Sequence, residues 1–156
     1  MKGMRPAQLA VPIFASNDPK QIAFSQAALR AGVMGLMLID CVWLRTYPQT
    51  PRLYASGCIY KPERRRIDVA GNILEYGETW QSIPWVLHRG YGDCEDLGAW
   101  RAAELRVKNG IAATPDVRVR RLPSGSWRAH VVVKYPDGSI EDPSAKLGMY
   151  EYGRRD

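Results

Sequence analysis

Between Cys94 and Lys108 the apolar residues Leu97, Trp100, Ala103 and Val107 recur at a spacing that gathers them near one face of a helix. No Pro interrupts this run, and Ala, Leu, Glu, Arg and Lys dominate it, all good helix formers. Asp93 is placed to cap its start, Glu95 and Asp96 suit the positive end of the helix dipole, and Asn109-Gly110 supplies the stop. Beyond Gly110 the period changes. Val117 and Val119 alternate with Arg118 and Arg120, which predicts a strand. Trp127 to Tyr135, rich in aromatic and β-branched residues, predicts a second strand after the turn Pro123-Ser124-Gly125-Ser126. A third short strand, Ser139 to Asp142, follows the turn Pro136-Asp137-Gly138 and is stopped by Pro143.

Upstream, residues 1–16 read as irregular with a short strand at Leu9–Phe14. Asn17-Asp18-Pro19 is a helix start, a cap residue followed by Pro in the first turn. That helix is expected to run to about Arg45, bent near Gly32 or Gly35. Its second half is apolar almost all round, which predicts a core position and makes Cys41 a buried, inert thiol. Tyr47-Pro48 and Thr50-Pro51 end it. Residues 51–62 predict a helical turn and then a short strand, with Cys58 structural. Residues 61–79 read as an exposed, basic connection. Ser82 is placed to cap a brief helix with Pro84 in its first turn. Helices first, then an antiparallel meander, means an α+β fold.

A chain of 156 residues reads as one domain, 1–156, with its core at 80–145 and an N-terminal helical part and connection at 1–79. Three cysteines, widely spaced and odd in number, argue against a disulfide framework. With no C-x-x-C pair and only two histidines, His88 and His130, neither a metal nor a cofactor is expected. The net charge is +6, with arginines at Arg64-Arg65-Arg66, Arg118/Arg120/Arg121 and Arg154-Arg155. These clusters are short and dispersed, so a solvated basic surface is the expectation and nucleic acid the weaker alternative. No secretory signal is read in residues 1–16. The apolar stretch Ala31–Leu44, interrupted by Asp40, is shorter than the roughly 20 residues that span a bilayer. A buried helix and a cytoplasmic protein are expected, with no membrane.

The candidate chemistry centres on Cys94. A cysteine at a helix start meets unpaired backbone N–H groups, which favour a thiolate. A thiol nucleophile needs a base and a group to orient that base. His130 lies in the second strand and Asp142 at the end of the third. With a three-residue loop Pro136-Asp137-Gly138 and Gly138 left-handed, Tyr135 pairs with Ser139 and Val132 with Asp142. Asp142 then becomes the diagonal neighbour of His130 on a common face. A two-residue loop would put it on the opposite face. Taken singly, His130 also suits a core position, Asp142 a turn, and Cys94 a small buried hydrophobe.

The set Gly92-Asp93-Cys94-Glu95-Asp96-Leu97, the helix through Arg106, Gly110-Ile111, Ala129-His130-Val131-Val132-Val133, Asp137-Gly138 and Glu141-Asp142-Pro143-Ser144 resembles the transglutaminase-like superfamily. The resemblance covers roughly residues 80–145. It implies a papain-like arrangement, the Cys-bearing helix packed on an antiparallel β-sheet, with Cys94 as nucleophile, His130 as base and then acid, and Asp142 as orienter. It implies acyl transfer through a thioester, with a protein or peptide substrate. Hydrolysis is favoured over cross-linking because no second substrate-binding module is visible. The backbone N–H of Cys94 is a natural oxyanion donor. Trp80, Gln81, Trp85 and His88 all qualify as a side-chain donor, and Tyr91 as a pocket residue; packing roles for the tryptophans and Tyr91 stay open. The chain also resembles short products encoded among tailed-bacteriophage structural genes. That context suggests virion protein partners and a non-catalytic alternative, a binding protein that keeps the fold.

Overall fold

The computed structural model describes residues 18–62, 66–67, 73–75, 79–121, 123, 125 and 127–152. The strand expected at Leu9–Phe14 and the arginines Arg154-Arg155 lie outside these residues, as do Arg64 and Arg65. In chain order the elements are α1 (Pro19–Thr46), a 3₁₀ turn (Leu53–Ala55), β1 (Ile59–Tyr60), β2 (Arg66–Ile67), β3 (Ile73–Glu75) and α2 (Ile83–Arg89). There follow β4 (Tyr91–Gly92), α3 (Cys94–Asn109), β5 (Thr114–Arg121), β6 (Trp127–Lys134), β7 (Ile140–Glu141), α4 (Pro143–Lys146) and α5 (Met149–Tyr152). The chain is α+β, as its pattern predicts.

α1 begins where the sequence places it. Asp18 is its N-cap, accepting from the Lys20 N–H at 2.9 Å, and Pro19 opens the first turn. Leu29, Val33, Leu36, Met37, Cys41 and Leu44 form its inner face. Burial all round does not hold: Leu38 is 57% exposed, Ile39 58% and Val42 63%. The core covers only one stripe of α1, because α3 and β5 approach it from one side. By length and mean hydropathy this helix would suffice to cross a bilayer, yet its inner stripe is built into the protein core. Gly32 supports that packing. A Cβ there would stand 2.2 Å from Cζ3 of Trp80, so only glycine leaves room for the indole.

α3 is buried on more than the one face expected, from Cys94 to Leu105, because it lies between α1 and the sheet. Val131 of β6 meets Gly98 of α3 so closely that a Cβ on Gly98 would fall 2.6 Å from Val131 Cγ1. β5, β6 and β7 form an antiparallel sheet in that order. Two features are absent from the sequence pattern. β1 runs parallel to β4, with Tyr60 opposite Gly92, just ahead of Cys94. The connection at 61–79, read as exposed and basic with no strand expected, contains the antiparallel pair β2–β3.

Candidate active site

The Pro136-Asp137-Gly138 loop has three residues and a left-handed Gly138 (φ 87°). Tyr135 N–H donates to the Ser139 carbonyl at 2.9 Å, and Val133 pairs with Glu141. This is the register in which Val132 stands level with Asp142. His130 Nε2 and Asp142 Oδ2 are 2.8 Å apart. Asp142 is also the N-cap of α4, where its Oδ1 accepts from the Ala145 N–H at 3.1 Å. One oxygen therefore fixes the carboxylate while the other holds the imidazole. With Nε2 engaged, Nδ1 is the ring nitrogen left to face a nucleophile.

Cys94 stands at the first position of α3. Asp93 caps it, accepting from the Asp96 N–H at 3.3 Å, and Asp96 Oδ2 accepts from the Asp93 N–H at 3.3 Å, a reciprocal capping box. The Cys94 N–H belongs to the first turn, whose donors have no intrahelical acceptor. Among the described residues no hydrogen bond joins Cys94 to His130; β6 reaches this helix start through the next residue, Val131. The Val117 carbonyl is taken by Gln26 Nε2 at 2.9 Å and Arg30 Nη2 at 3.4 Å, not by β6. Its partner Val131 therefore turns its own N–H and carbonyl away from β5, toward the outer edge of β6. β7 reaches only Val133 and Lys134 on that edge. The Val131 N–H is thus open to Cys94, whose thiol it hydrogen-bonds.

The electrostatics differ from the sequence expectation. Cys94 is only 9% exposed, and its thiol donates to Glu95 Oε2 at 3.1 Å. Burial first, then the Glu95 and Asp93 carboxylates, push the thiol well above its ordinary pKa, against the pull of the Val131 N–H. Burial also raises Asp93 and Asp96. Burial, and after it the adjacent carboxylates, therefore outweigh the helix dipole locally. Three acids within two residues of Cys94 were the sequence signal for this. Tyr60 is a second neighbour that the sequence pattern missed. Its phenol is pushed up to about 12 by burial, then by Cys94 and Asp93.

The side-chain donor candidates separate by position. Trp80 fills the seat at Gly32, and its Nε1 is buried without a partner, which makes it a packing residue. Trp85 and His88 lie on α2, ring edge to ring face with centroids 5.9 Å apart, and His88 is exposed. Tyr91 is partly covered by Lys61, 4.5 Å from its ring centre. Gln81 is buried, and its N–H donates to Asp96 Oδ1 at 2.6 Å, which ties it to the first turn of α3. Its Oε1 is buried without a partner. Of the five, Gln81 alone is bonded to the Cys94 helix start in this way.

A second network holds the sheet to α3. Arg101 Nε donates to Glu141 Oε1 at 2.8 Å and its Nη1 donates to Glu104. Glu104 Oε1 accepts the Leu53 N–H at 2.8 Å. Tyr54 and Tyr135 donate to Glu141 as well. Burial raises the Glu141 pKa, but donation from Arg101, Tyr135 and Tyr54 outweighs it and holds the carboxyl at about 2. Glu141 precedes Asp142, so this clamp fixes the strand end that carries the His130 partner. Among the described residues no group of three or more His, Cys, Asp or Glu side chains is arranged to hold a metal ion. No family model, no curated protein and no solved structure matches this chain.

Proposed function

We propose that the protein is a cysteine hydrolase with a transglutaminase-like, papain-like core, acting by acyl transfer on a protein or peptide. The observation that carries this reading is the 2.8 Å contact between His130 Nε2 and Asp142 Oδ2, beside a helix-start thiol that touches the next residue of β6. His130 Nδ1 takes the thiol proton, and the Cys94 sulfur adds to an amide or ester carbonyl. The Cys94 N–H, with the amide of Gln81 as the favoured side-chain donor, stabilises the oxyanion. Collapse expels the amine or alcohol, which takes the proton from His130 and leaves a thioester. Water, deprotonated by His130, resolves the thioester to a carboxylic acid and returns the thiol. The expected setting is the cytoplasm or a virion.

One observation favours a second reading, a binding protein such as a virion component. The thiol is nearly covered and donates to Glu95, a resting arrangement unlike that of a poised nucleophile. Labelling with iodoacetamide, read by mass spectrometry at Cys94, Cys41 and Cys58, decides between them. The hydrolase reading expects fast, His130-dependent modification of Cys94 alone. Equal rates at the three cysteines, or no loss in H130A, would overturn it.

A further inference from the structure

The register of β5 on β6 runs unbroken over eight pairs, from Thr114 opposite Lys134 to Arg121 opposite Trp127. Opposed residues share a face, and faces alternate along each strand. One face carries Val117 and Val131 and packs on α3. The other carries Arg118 opposite His130, and Arg120 opposite Arg128. All three arginines are exposed. Arg118 stands 3.7 Å from Asp116, but Asp116 already pairs with Arg30 at 2.9 Å. Among the described residues Arg120 and Arg128 have no carboxylate partner. Like charges directly opposite across a ladder are destabilising, so this pair costs stability unless an anion joins it. Arg128 also extends its field to Tyr60, a neighbour of the thiol: its charge opposes the upward push that burial, Cys94 and Asp93 exert on that phenol.

The backbone beside these arginines is open. Val131 faces the outer edge of β6, so Ala129, two residues before it, faces the same way. β7 stops at Val133, and among the described residues no strand pairs with Ala129 on that side. An open edge of N–H and carbonyl groups recognises another peptide backbone.

We propose that the substrate is an acidic peptide, laid extended along the outer edge of β6, with its carboxylates on Arg128, Arg120 and Arg118 and its reacting carbonyl at Cys94. The proposal rests on the hydrolase reading and names its substrate class. Side chains of an extended peptide alternate between faces, so acidic residues at every second position meet the arginines. One feature favours a peptide over nucleic acid: the edge offers backbone pairing that a phosphodiester chain cannot use.

The test uses three peptide vinyl sulfones of equal length, with Glu, Gln or Lys at alternate positions, and reads the rate of Cys94 modification. The Glu probe is expected to react on the order of tenfold faster than the Gln probe at low salt. The advantage should vanish near 1 M salt, where screening acts within roughly 3 Å. R120Q/R128Q should erase the Glu-to-Gln rate ratio, and R120E/R128E should turn the preference toward Lys. Equal ratios in the parent, or a preference untouched by either variant, would overturn the proposal. So would a single-stranded oligonucleotide of matched charge that displaces an unreactive fluorescent Glu peptide and binds more tightly than it. Failure of the hydrolase reading is distinct: all three probes would then modify Cys94 without dependence on His130. The unreactive Glu peptide, measured by anisotropy on parent and R120Q/R128Q, tests the surface in that case too, with equal binding overturning it.

Discussion

Asp142 divides its carboxylate between two tasks, with Oδ1 on the Ala145 N–H at 3.1 Å and Oδ2 on His130 Nε2 at 2.8 Å. The cap fixes the carboxylate, and the carboxylate fixes the ring tautomer. D142N keeps an oxygen for the cap but offers an amide N–H to the ring. Nε2 then becomes the acceptor and Nδ1 carries the proton, so His130 can no longer accept from Cys94. Cys94 alkylation is expected to fall by roughly 10²-fold or more, while stability changes by no more than about 1 kcal/mol. Pseudo-first-order labelling with urea unfolding on the same samples checks this. A D142N protein as reactive as the parent would sink the role of Asp142.

Glu95 accepts the Cys94 thiol proton at 3.1 Å. Burial contributes most to the raised thiol pKa, and the Glu95 charge comes next. E95Q removes that charge and keeps an acceptor oxygen. The thiolate then forms at lower pH, so the rate-versus-pH curve for Cys94 alkylation should move down the pH axis. A curve that stays in place or moves up would show that Glu95 does not hold the thiol in its protonated form.

The hairpin that joins His130 to Asp142 was legible because three residues, Pro136-Asp137-Gly138, dictate the loop and the loop dictates the register. The α1 and α3 boundaries were legible from Asp18-Pro19 and from the caps Asp93 and Gly110. What escaped has no period to read. The short strand within 51–62 is read, but its partner β4 is two residues long and pairs with it in parallel across about thirty positions of chain. α4 and α5 are single turns after Pro143. The exposed Leu38–Ile39–Val42 face of α1 carries the same residue types as its buried face. The state of the Cys94 thiol depends on where Glu95 points, which one-dimensional spacing does not encode. Ser82 was placed correctly as the N-cap of α2, but its side chain makes no capping bond; Asp40 of α1 accepts the Ile83 N–H instead, at 2.9 Å.

Glu141 gives the clamp a pH signature. Its pKa is held at about 2 against an ordinary 4.5. A depressed carboxylate contributes stability above its unfolded pKa and loses it as pH falls through the folded value. The contribution, roughly 3 kcal/mol, should therefore be present at neutral pH and fade between about pH 5 and pH 2. E141Q should be less stable than the parent at pH 7, with the gap closing over that window. A gap independent of pH would show that the clamp acts through packing alone.

Asp40 titrates with the opposite sign. It is fully buried, with Oδ2 unpartnered, and burial raises its pKa well above the usual carboxylate range against the pull of the Ile83 N–H. A raised carboxylate contributes stability fully below its unfolded pKa and loses it as pH rises through the folded value. D40N keeps the cap on α2 and removes the titration. The parent should gain on D40N as pH falls from neutral, and D40A, which strands the Ile83 N–H, should lose about 1–3 kcal/mol. Parallel pH profiles for parent and D40N would remove Asp40 from the titrating set.

Gly98 sets how close the Cys94 helix comes to β6. A Cβ there would fall 2.6 Å from Val131 Cγ1 and 3.6 Å from Val131 Cβ. Alanine raises intrinsic helix stability by up to about 1 kcal/mol, but overpacking typically costs about 1–3 kcal/mol. G98A should therefore be net destabilised, and the sheet should move off α3 at Val131, whose N–H meets the thiol. V131A removes Cγ1, the nearest of the clashing atoms, at the expense of a small cavity. The two changes should couple: G98A/V131A should be more stable than the sum of the single losses allows, and Cys94 alkylation, altered in G98A, should return toward the parent rate. Urea unfolding across the four proteins measures the coupling. A G98A protein more stable than the parent would mean that β6 yields freely and that the spacing between helix and strand is not what holds Val131 at the thiol.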